Sequence, residues 1–244
     1  MNPIKTLAGE VHVLEHHAAF AKLAQIINDT GKQVGASVAL SGGSTPMAFY
    51  KWAIEYKAIH AHATNGIHWY VSDERCVPLT SLDSNFGNAE RQFLQPLAIP
   101  LSHRHPWQID SFPAEAAAHF SAECAARLAD GKKLFDLCVL GLGDDAHTAS
   151  LWPGCPLINA SHLELAMATE WPKRGWRLTI TQRGLAECGK IVVMAFGAGK
   201  AKALYEALLG QPDPAKFPAQ VLRPLAKKVI WLADEAAAAL LANG

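Results

Sequence analysis

Residues 134–150 read LFDLCVLGLGDDAHTAS, a mostly apolar run that ends in two glycines, two acids and one histidine. Apolar side chains without alternation suit a strand covered on both faces, as in a parallel sheet. The turn that follows carries the chemistry. Its G-x-G-x-x-A spacing, with Glu164 at the offset of a ribose-binding acid, is that of a dinucleotide loop. Asp144 and Asp145 would then face a pyrophosphate at a helix N-terminus, a place that favours donors and positive charge. That reading is set aside. Two others stay open: Asp144, Asp145 and His147 as metal ligands, for which no fourth ligand segment is evident, or His147 as a general base held by a neighbouring acid.

The same grammar recurs along the chain. Residues 37–40 (SVAL) precede SGGSTP and an amphipathic stretch over 47–58. Residues 67–71 (IHWYV) precede SDERCVP, residues 191–196 (IVVMAF) precede GAGK and a helix to Leu209, and residues 229–232 (VIWL) precede an alanine-rich helix. Residues 178–181 form a further strand candidate, and 114–130 read as a crossover helix stopped by Gly131. This alternation predicts an α/β, Rossmann-like fold, a largely parallel sheet with helices on both faces. No linker marks a boundary, so residues 1–244 read as one domain. SGGSTP, SDER, GLGDDAH and GAGK each follow a strand, and in such a sheet these positions converge on the carboxyl edge, where ligands bind.

Composition narrows the function classes. Half of the residues are hydrophobic and 18% are charged, which allows a sizeable core. Lys plus Arg and Asp plus Glu number 22 each, so nothing marks the chain as a nucleic-acid binder. No apolar run reaches the roughly 20 residues that cross a bilayer. The N-terminus, interrupted by Glu10, His12 and Glu15, does not read as a signal peptide. Five scattered cysteines without a CxxC pair read as reduced thiols of a cytoplasmic protein. The 11 histidines match no metal-ligand pattern and read as solvated surface residues.

Each polar turn has a ligand reading and a plainer one. In SGGSTP, Gly42 and Gly43 let backbone approach a phosphate, Ser44 or Thr45 could cap the helix, and Pro46 suits its first position. Without a ligand the segment is a tight capped turn. It is not a nucleotide-hydrolysing P-loop, since no GK[ST] follows, and GAGK, ending in Ala201, fails the same test. Lys200 is either a point charge for an anion or an exposed first-turn lysine. Asp73, Glu74 and Arg75 are costly to bury unless they pair or meet a ligand. Arg75 suits a bidentate anion contact, while a local Asp–Arg surface pair is the alternative. SNFGNAE at residues 84–90 reads as an Asn-capped helix near the same edge. The nearest approach to a nucleophile elbow, GASVA at 35–39, enters a strand instead of leaving one, so hydrolysis here would use activated water.

Taken in order, ALSGGSTP (39–46), VSDERCVP (71–78), SNFGNAE (84–90), LGLGDDAHTASLWPG (140–154) and RLTIT (177–181) resemble the 6-phosphogluconolactonase family, and the ending VIWLADEAAAAL fits as well. The resemblance implies hydrolysis of a phosphorylated sugar lactone to the open acid, on a fold shared with sugar-phosphate isomerases and deaminases. It implies no metal or organic cofactor. By position, His147 would be the general base, with Asp144 or Asp145 orienting it. Arg75, Lys173, Arg177 and Lys200 would hold the phosphate or the oxyanion, and Gly42, Gly43, Ser44, Thr45 and Asp73 would line the substrate pocket. Ala146 stands where the family usually has glycine. Trp171-Pro172-Lys173-Arg174-Gly175 stands where it usually has Ser-Pro-Lys-Pro-Pro. A small-molecule partner is expected, with no nucleic acid or membrane, for a monomer or small homo-oligomer.

Two rivals share the fold. In glucosamine-6-phosphate deaminases the stretch after the histidine continues to an acid that serves ring opening. Here no carboxylate lies between His147 and Glu164. A sugar-phosphate-sensing regulator would need a DNA-binding helix pair, and the residues before the first expected strand have room for one convincing helix.

Overall fold

The computed structural model describes residues 3–158 and 163–241. It begins with a short antiparallel pair that patterning missed, β1 (Ile4–Thr6) and β2 (Gly9–Val13), followed by α1 (His16–Thr30). Then come β3 (Ala36–Leu40), α2 (Ser44–Glu55), α3 (Ala61–Gly66), β4 (Ile67–Val71), β5 (Asp73–Arg75) and α4 (Asn85–Ala89). The middle of the chain forms α5 (Pro113–Ala129), β6 (Leu137–Gly141), β7 (Ala166–Trp171), β8 (Gly175–Ile180) and α6 (Gln182–Glu187). The last elements are β9 (Lys190–Ala195), α7 (Ala201–Leu208), β10 (Val229–Ala233) and α8 (Glu235–Ala238). No described helix is long and apolar enough to cross a membrane.

Among the described residues, a seven-stranded sheet runs β1-β2-β10-β9-β6-β3-β4, parallel throughout except for β1. Its interior strands are almost wholly buried, as their unbroken apolar runs require. Residues 134–136 precede β6 instead of belonging to it. Leu134 and Phe135 are core residues, and Asp136 accepts bonds from the Ser37 backbone N–H (2.8 Å) and hydroxyl (3.0 Å) at the start of β3. From β3 the chain passes outward to β4 and then returns across β3 to β6. The strand order therefore reverses between β3 and β6, and the loops leaving their carboxyl ends part to open a crevice.

A second, three-stranded antiparallel sheet, β5-β8-β7, stands over that edge. Of the strand expected at residues 178–181, Leu178 to Ile180 belong to β8, outside the parallel sheet, and Thr181 caps α6. Ser72 joins the two sheets: its N–H donates to the Leu40 carbonyl and its own carbonyl accepts from the Ile180 N–H, both at 2.9 Å.

The histidines are more engaged than their pattern suggested. His16 lies 3.0 Å from Asp234, and His17 accepts a 3.0 Å bond from the Trp52 indole. On edge strand β4, the His68 Nδ1 and His105 Nε2 atoms are 2.8 Å apart, and His105 stacks on Tyr70. Burial, with the charges of His68 and Arg127, pushes His105 down to about 4 from its ordinary 6.5. Between those two values the unfolded chain takes up a proton that the folded chain refuses, so stability falls as pH drops from about 6.5 toward 4. Thermal melts across this range should show the midpoint falling, and His105→Phe should flatten the slope. An unchanged slope in that variant would remove His105 as the cause.

Candidate active site

The four polar turns line one cleft of about 280 Å³ at the carboxyl edge. Ser41 to Pro46 form one wall, Gly141 to Gly143 and His147 the floor, and Lys200 the far side. Asp73, Arg75, Trp171, Arg174 and Arg177 come from the second sheet or the β7–β8 turn.

The cap expected in SGGSTP is absent. Helix α2 starts at Ser44 with Gly43 as its N-cap at φ 101°, and no side chain bonds the first turn. The Ser44 and Thr45 amides, in the first turn, lack partners within the helix, and Pro46 at the third helical position has no N–H to leave unpaired. Such amides at a helix N-terminus attract phosphate. Gly42 serves a different need. A Cβ there would lie 1.8 Å from the Asn85 Oδ1, the atom that accepts a 2.5 Å bond from Arg75. Bare backbone at 42 therefore leaves room for Asn85, and Asn85 aims Arg75.

In β5 side chains alternate faces. Asp73 and Arg75 face the cleft, whereas Glu74 is fully buried on the other side. Burial pushes the Glu74 carboxyl up, while four donors pull it back. Its Oε1 accepts the backbone N–H groups of Arg75 (2.8 Å) and Asn85 (2.6 Å). Its Oε2 accepts the Phe86 N–H (2.8 Å) and the Ser84 hydroxyl (3.0 Å). The cap of α4 is Ser84, not Asn85: the Ser84 oxygen accepts from the Gly87 N–H. Asp73 is buried too and accepts the Ser150 hydroxyl at 2.7 Å, so no surface Asp–Arg pair forms.

Arg75 and Arg177 are direct cross-strand partners in β5 and β8. Like charges placed opposite each other destabilise a sheet. Burial and the neighbouring Arg75 both push Arg177 below its ordinary range. None of the ion pairs among the described residues involves Arg75, Arg174 or Arg177. Two facing guanidiniums and a third at the same rim present the charge and the paired donors that suit an anion.

Lys173 does not line the cleft. It sits at φ 65° in the β7–β8 turn, between a bond from the Arg174 N–H to the Trp171 carbonyl (2.9 Å) and Gly175 at φ 75°. This tight turn sends Lys173 away and brings Arg174 over the Trp171 ring, with its Cζ 4.7 Å from the ring centre. Arg174, Asn85, Ser150 and Trp171 are lining residues that sequence reasoning passed over. WPKRG contained two adjacent cations, and only the turn geometry chooses between them.

The opening loop assigns different tasks to its acids. Asp145 Oδ1 lies 2.5 Å from the His147 Nδ1 and accepts the His147 backbone N–H at 3.1 Å. Burial alone would push the Asp145 carboxyl up, but the His147 bond and charge outweigh it and bring the group down to about 2. At neutral pH Asp145 is an ionised acceptor, so the proton of a neutral imidazole sits on Nδ1 and the lone pair on Nε2. Asp144 instead holds Lys200 at 2.6 Å. Among the described residues, no group of His, Cys, Asp and Glu converges as a metal centre would require.

The loop closes tightly. The Gly143 N–H donates to the His147 carbonyl at 2.8 Å, and the Ala146 N–H to the Gly143 carbonyl at 2.9 Å. Ala146 adopts φ 62°, the left-handed conformation that a Cβ disfavours by roughly 1–2 kcal/mol. Its methyl is fully buried, which offsets part of that cost. At Gly143 a Cβ would lie 1.9 Å from His147 Nδ1 and 2.6 Å from Asp145 Oδ1. Gly143→Ala is therefore expected to expel the imidazole and lower turnover of the proposed substrate at least tenfold with little loss of fold. Turnover within twofold of the parent chain would contradict the contact.

Residues 13–231 match the family described as glucosamine-6-phosphate isomerases/6-phosphogluconolactonase. The chain is 34% identical over 211 residues to the 6-phosphogluconolactonase of Synechocystis sp. strain PCC 6803, which covers 82% of each protein. The crystal structure of a devB protein superposes with a TM-score of 0.85 at 26% identity, over 95% of this chain and 98% of that one. A monomeric glucosamine-6-phosphate deaminase shares the fold, with a TM-score of 0.78 at 18% identity over 94% of this chain and 99% of its own. With the site's order in sequence and the match over most of its length, the chain belongs to the glucosamine-6-phosphate isomerase/6-phosphogluconolactonase family.

Proposed function

We propose that this chain hydrolyses 6-phospho-D-glucono-1,5-lactone to 6-phospho-D-gluconate, the second step of the oxidative pentose phosphate pathway, with His147 as general base. The observation that carries the reading is the Asp145–His147 pair at the floor of a cleft whose rim holds the opposed Arg75 and Arg177. The pair supplies a base, and the rim supplies the grip for a phosphate.

A δ-lactone is an activated ester, so water suffices as nucleophile. The His147 Nε2 takes a proton from water as the water oxygen bonds to the lactone carbonyl carbon, and the carbonyl electrons move to its oxygen. Cleft cations and free amides stabilise that oxyanion, an effect worth about 3 kcal/mol per well-placed donor. Collapse of the intermediate breaks the bond from the carbonyl carbon to the ring oxygen, which leaves with the proton from the imidazolium. Asp145 holds the Nδ1 proton throughout and stabilises the transient cation. The five unpaired thiols suit the reducing cytoplasm.

The deaminase reading is weaker. The segment after His147 supplies no acid, and Asp73, held by Ser150, is the carboxylate among the described lining residues. Coupled turnover of fresh 6-phosphogluconolactone, corrected for spontaneous hydrolysis, tests the proposal. Ammonia release from glucosamine 6-phosphate without lactone turnover would replace it.

Arg177→Ala separates binding from stability. It removes one of two opposed charges, so the melting temperature should hold or rise slightly, while KM for the phosphorylated lactone rises at least tenfold. An unchanged KM would exclude Arg177 from the phosphate grip.

A further inference from the structure

The indole of Trp171 touches both halves of the site. It meets the His147 ring edge-on, with centroids 5.0 Å apart at 78°, and it carries Arg174 over it at 4.7 Å. On its other side it lies parallel to the buried Trp152, 5.0 Å away at 12°, a contact along which the indole can slide. Trp171 is also the last residue of β7, so its backbone is anchored in the second sheet.

His147 needs such a support. It sits in a loop without helix or strand, and Asp145 restrains only one ring nitrogen. A single hydrogen bond leaves the imidazole free to swing about that contact, and a perpendicular ring packed against it removes the swing. Arg174 has the same need, because its peptide lies in a turn and no carboxylate pairs with it among the described residues.

We propose that Trp171 is a positioning residue that couples the two: a phosphate held by Arg174 fixes the indole, and the indole fixes the angle of the His147 imidazole. The idea rests on the lactonase reading for its kinetic consequence but not for its physical one. Misplacing a reacting group by about 1 Å costs up to about 100-fold in rate. The phosphate of the substrate therefore acts on turnover as well as on affinity, and phosphorylated lactones are preferred in kcat over unphosphorylated ones.

The test uses the full chain and the variants Trp171→Leu and Trp171→Phe. Trp171→Leu should lower kcat on 6-phosphogluconolactone about 10–100-fold and raise KM by a smaller factor, because Arg75 and Arg177 still hold the phosphate, and Trp171→Phe should recover most of the kcat loss. Inorganic phosphate is the second probe. Added to the parent chain, it should shift the NMR resonance of the His147 imidazole, and in Trp171→Leu it should still bind but leave that resonance in place. If Trp171→Leu does not fold, Trp171→Phe and the parent titration carry the test. A raised KM with kcat intact would reduce Trp171 to a pocket wall, and a His147 resonance indifferent to bound phosphate in the parent chain would end the coupling. Absence of lactone turnover with the phosphate-dependent shift present would overturn the lactonase reading and leave the coupling standing.

Discussion

Replacing His147 by alanine is expected to lower kcat for 6-phosphogluconolactone by roughly 10²–10⁴-fold, the range that a positioned general base contributes. The ring stands at the floor of the cleft with its Nδ1 committed to Asp145, so Nε2 is the nitrogen available to water. The substitution removes a side chain that is 29% exposed and whose loop is closed by backbone bonds, so the fold should persist. KM should change little, because the proposed phosphate grip lies on β5, β8 and the turn before β8. The measurement is initial rate against spontaneous hydrolysis, with added imidazole as a check. Partial recovery by imidazole identifies the missing group as a base. Activity within threefold of the parent chain would remove His147 from the mechanism.

The largest expected effect on stability belongs to a residue with no place in the chemistry. Glu74→Ala leaves three backbone N–H groups and the Ser84 hydroxyl without their acceptor in a fully buried site. Each stranded buried donor costs about 1–3 kcal/mol, and partial relaxation lets a little water in, so a net loss of about 3–5 kcal/mol is expected. In a chain of this size that corresponds to a fall of roughly 6–20 °C in melting temperature. Glu74→Gln should also destabilise, because an amide offers one acceptor oxygen where two oxygens each accept two bonds. The loss reaches the site as well: the first turn of α4 carries Asn85, and Asn85 aims Arg75. KM should therefore rise in any Glu74 variant that folds. A melting temperature within 3 °C of the parent in Glu74→Ala would show that these bonds are replaceable.

Much of the fold was legible. The runs at residues 37–40, 67–71, 191–196 and 229–232 are apolar because their strands are covered on both faces, and their sheet is parallel because helical stretches separate them. The strands that escaped notice are short, or they belong to a sheet with one open face. β5 spans three residues, all charged, and reads as a loop until β8 is seen beside it. β1 and β2 carry mixed, half-exposed residues because they lie at the sheet edge.

The site divides in the same way. Local patterning pointed to His147 with a neighbouring acid, the bare backbone at 42–43 and the cations Arg75 and Lys200, and the family resemblance added Arg177. It could not choose between Asp144 and Asp145, since both are within reach in sequence and only the loop closure at Gly143 turns Asp145 to the imidazole and Asp144 to Lys200. The resemblance pointed to Lys173 and not to Arg174, and the left-handed residue in this turn reverses which of the two neighbours faces inward.

The chain by itself determined the layered α/β architecture, the convergence of its polar turns and the place of the candidate base His147 among them, for these depend on periodicity and on which residues follow a strand. The tertiary structure alone decided which acid holds the base, which guanidinium joins the rim and that Arg75 opposes Arg177. Those are relations between segments up to about a hundred residues apart, set by strand register and by a few close backbone approaches, and no local pattern encodes them.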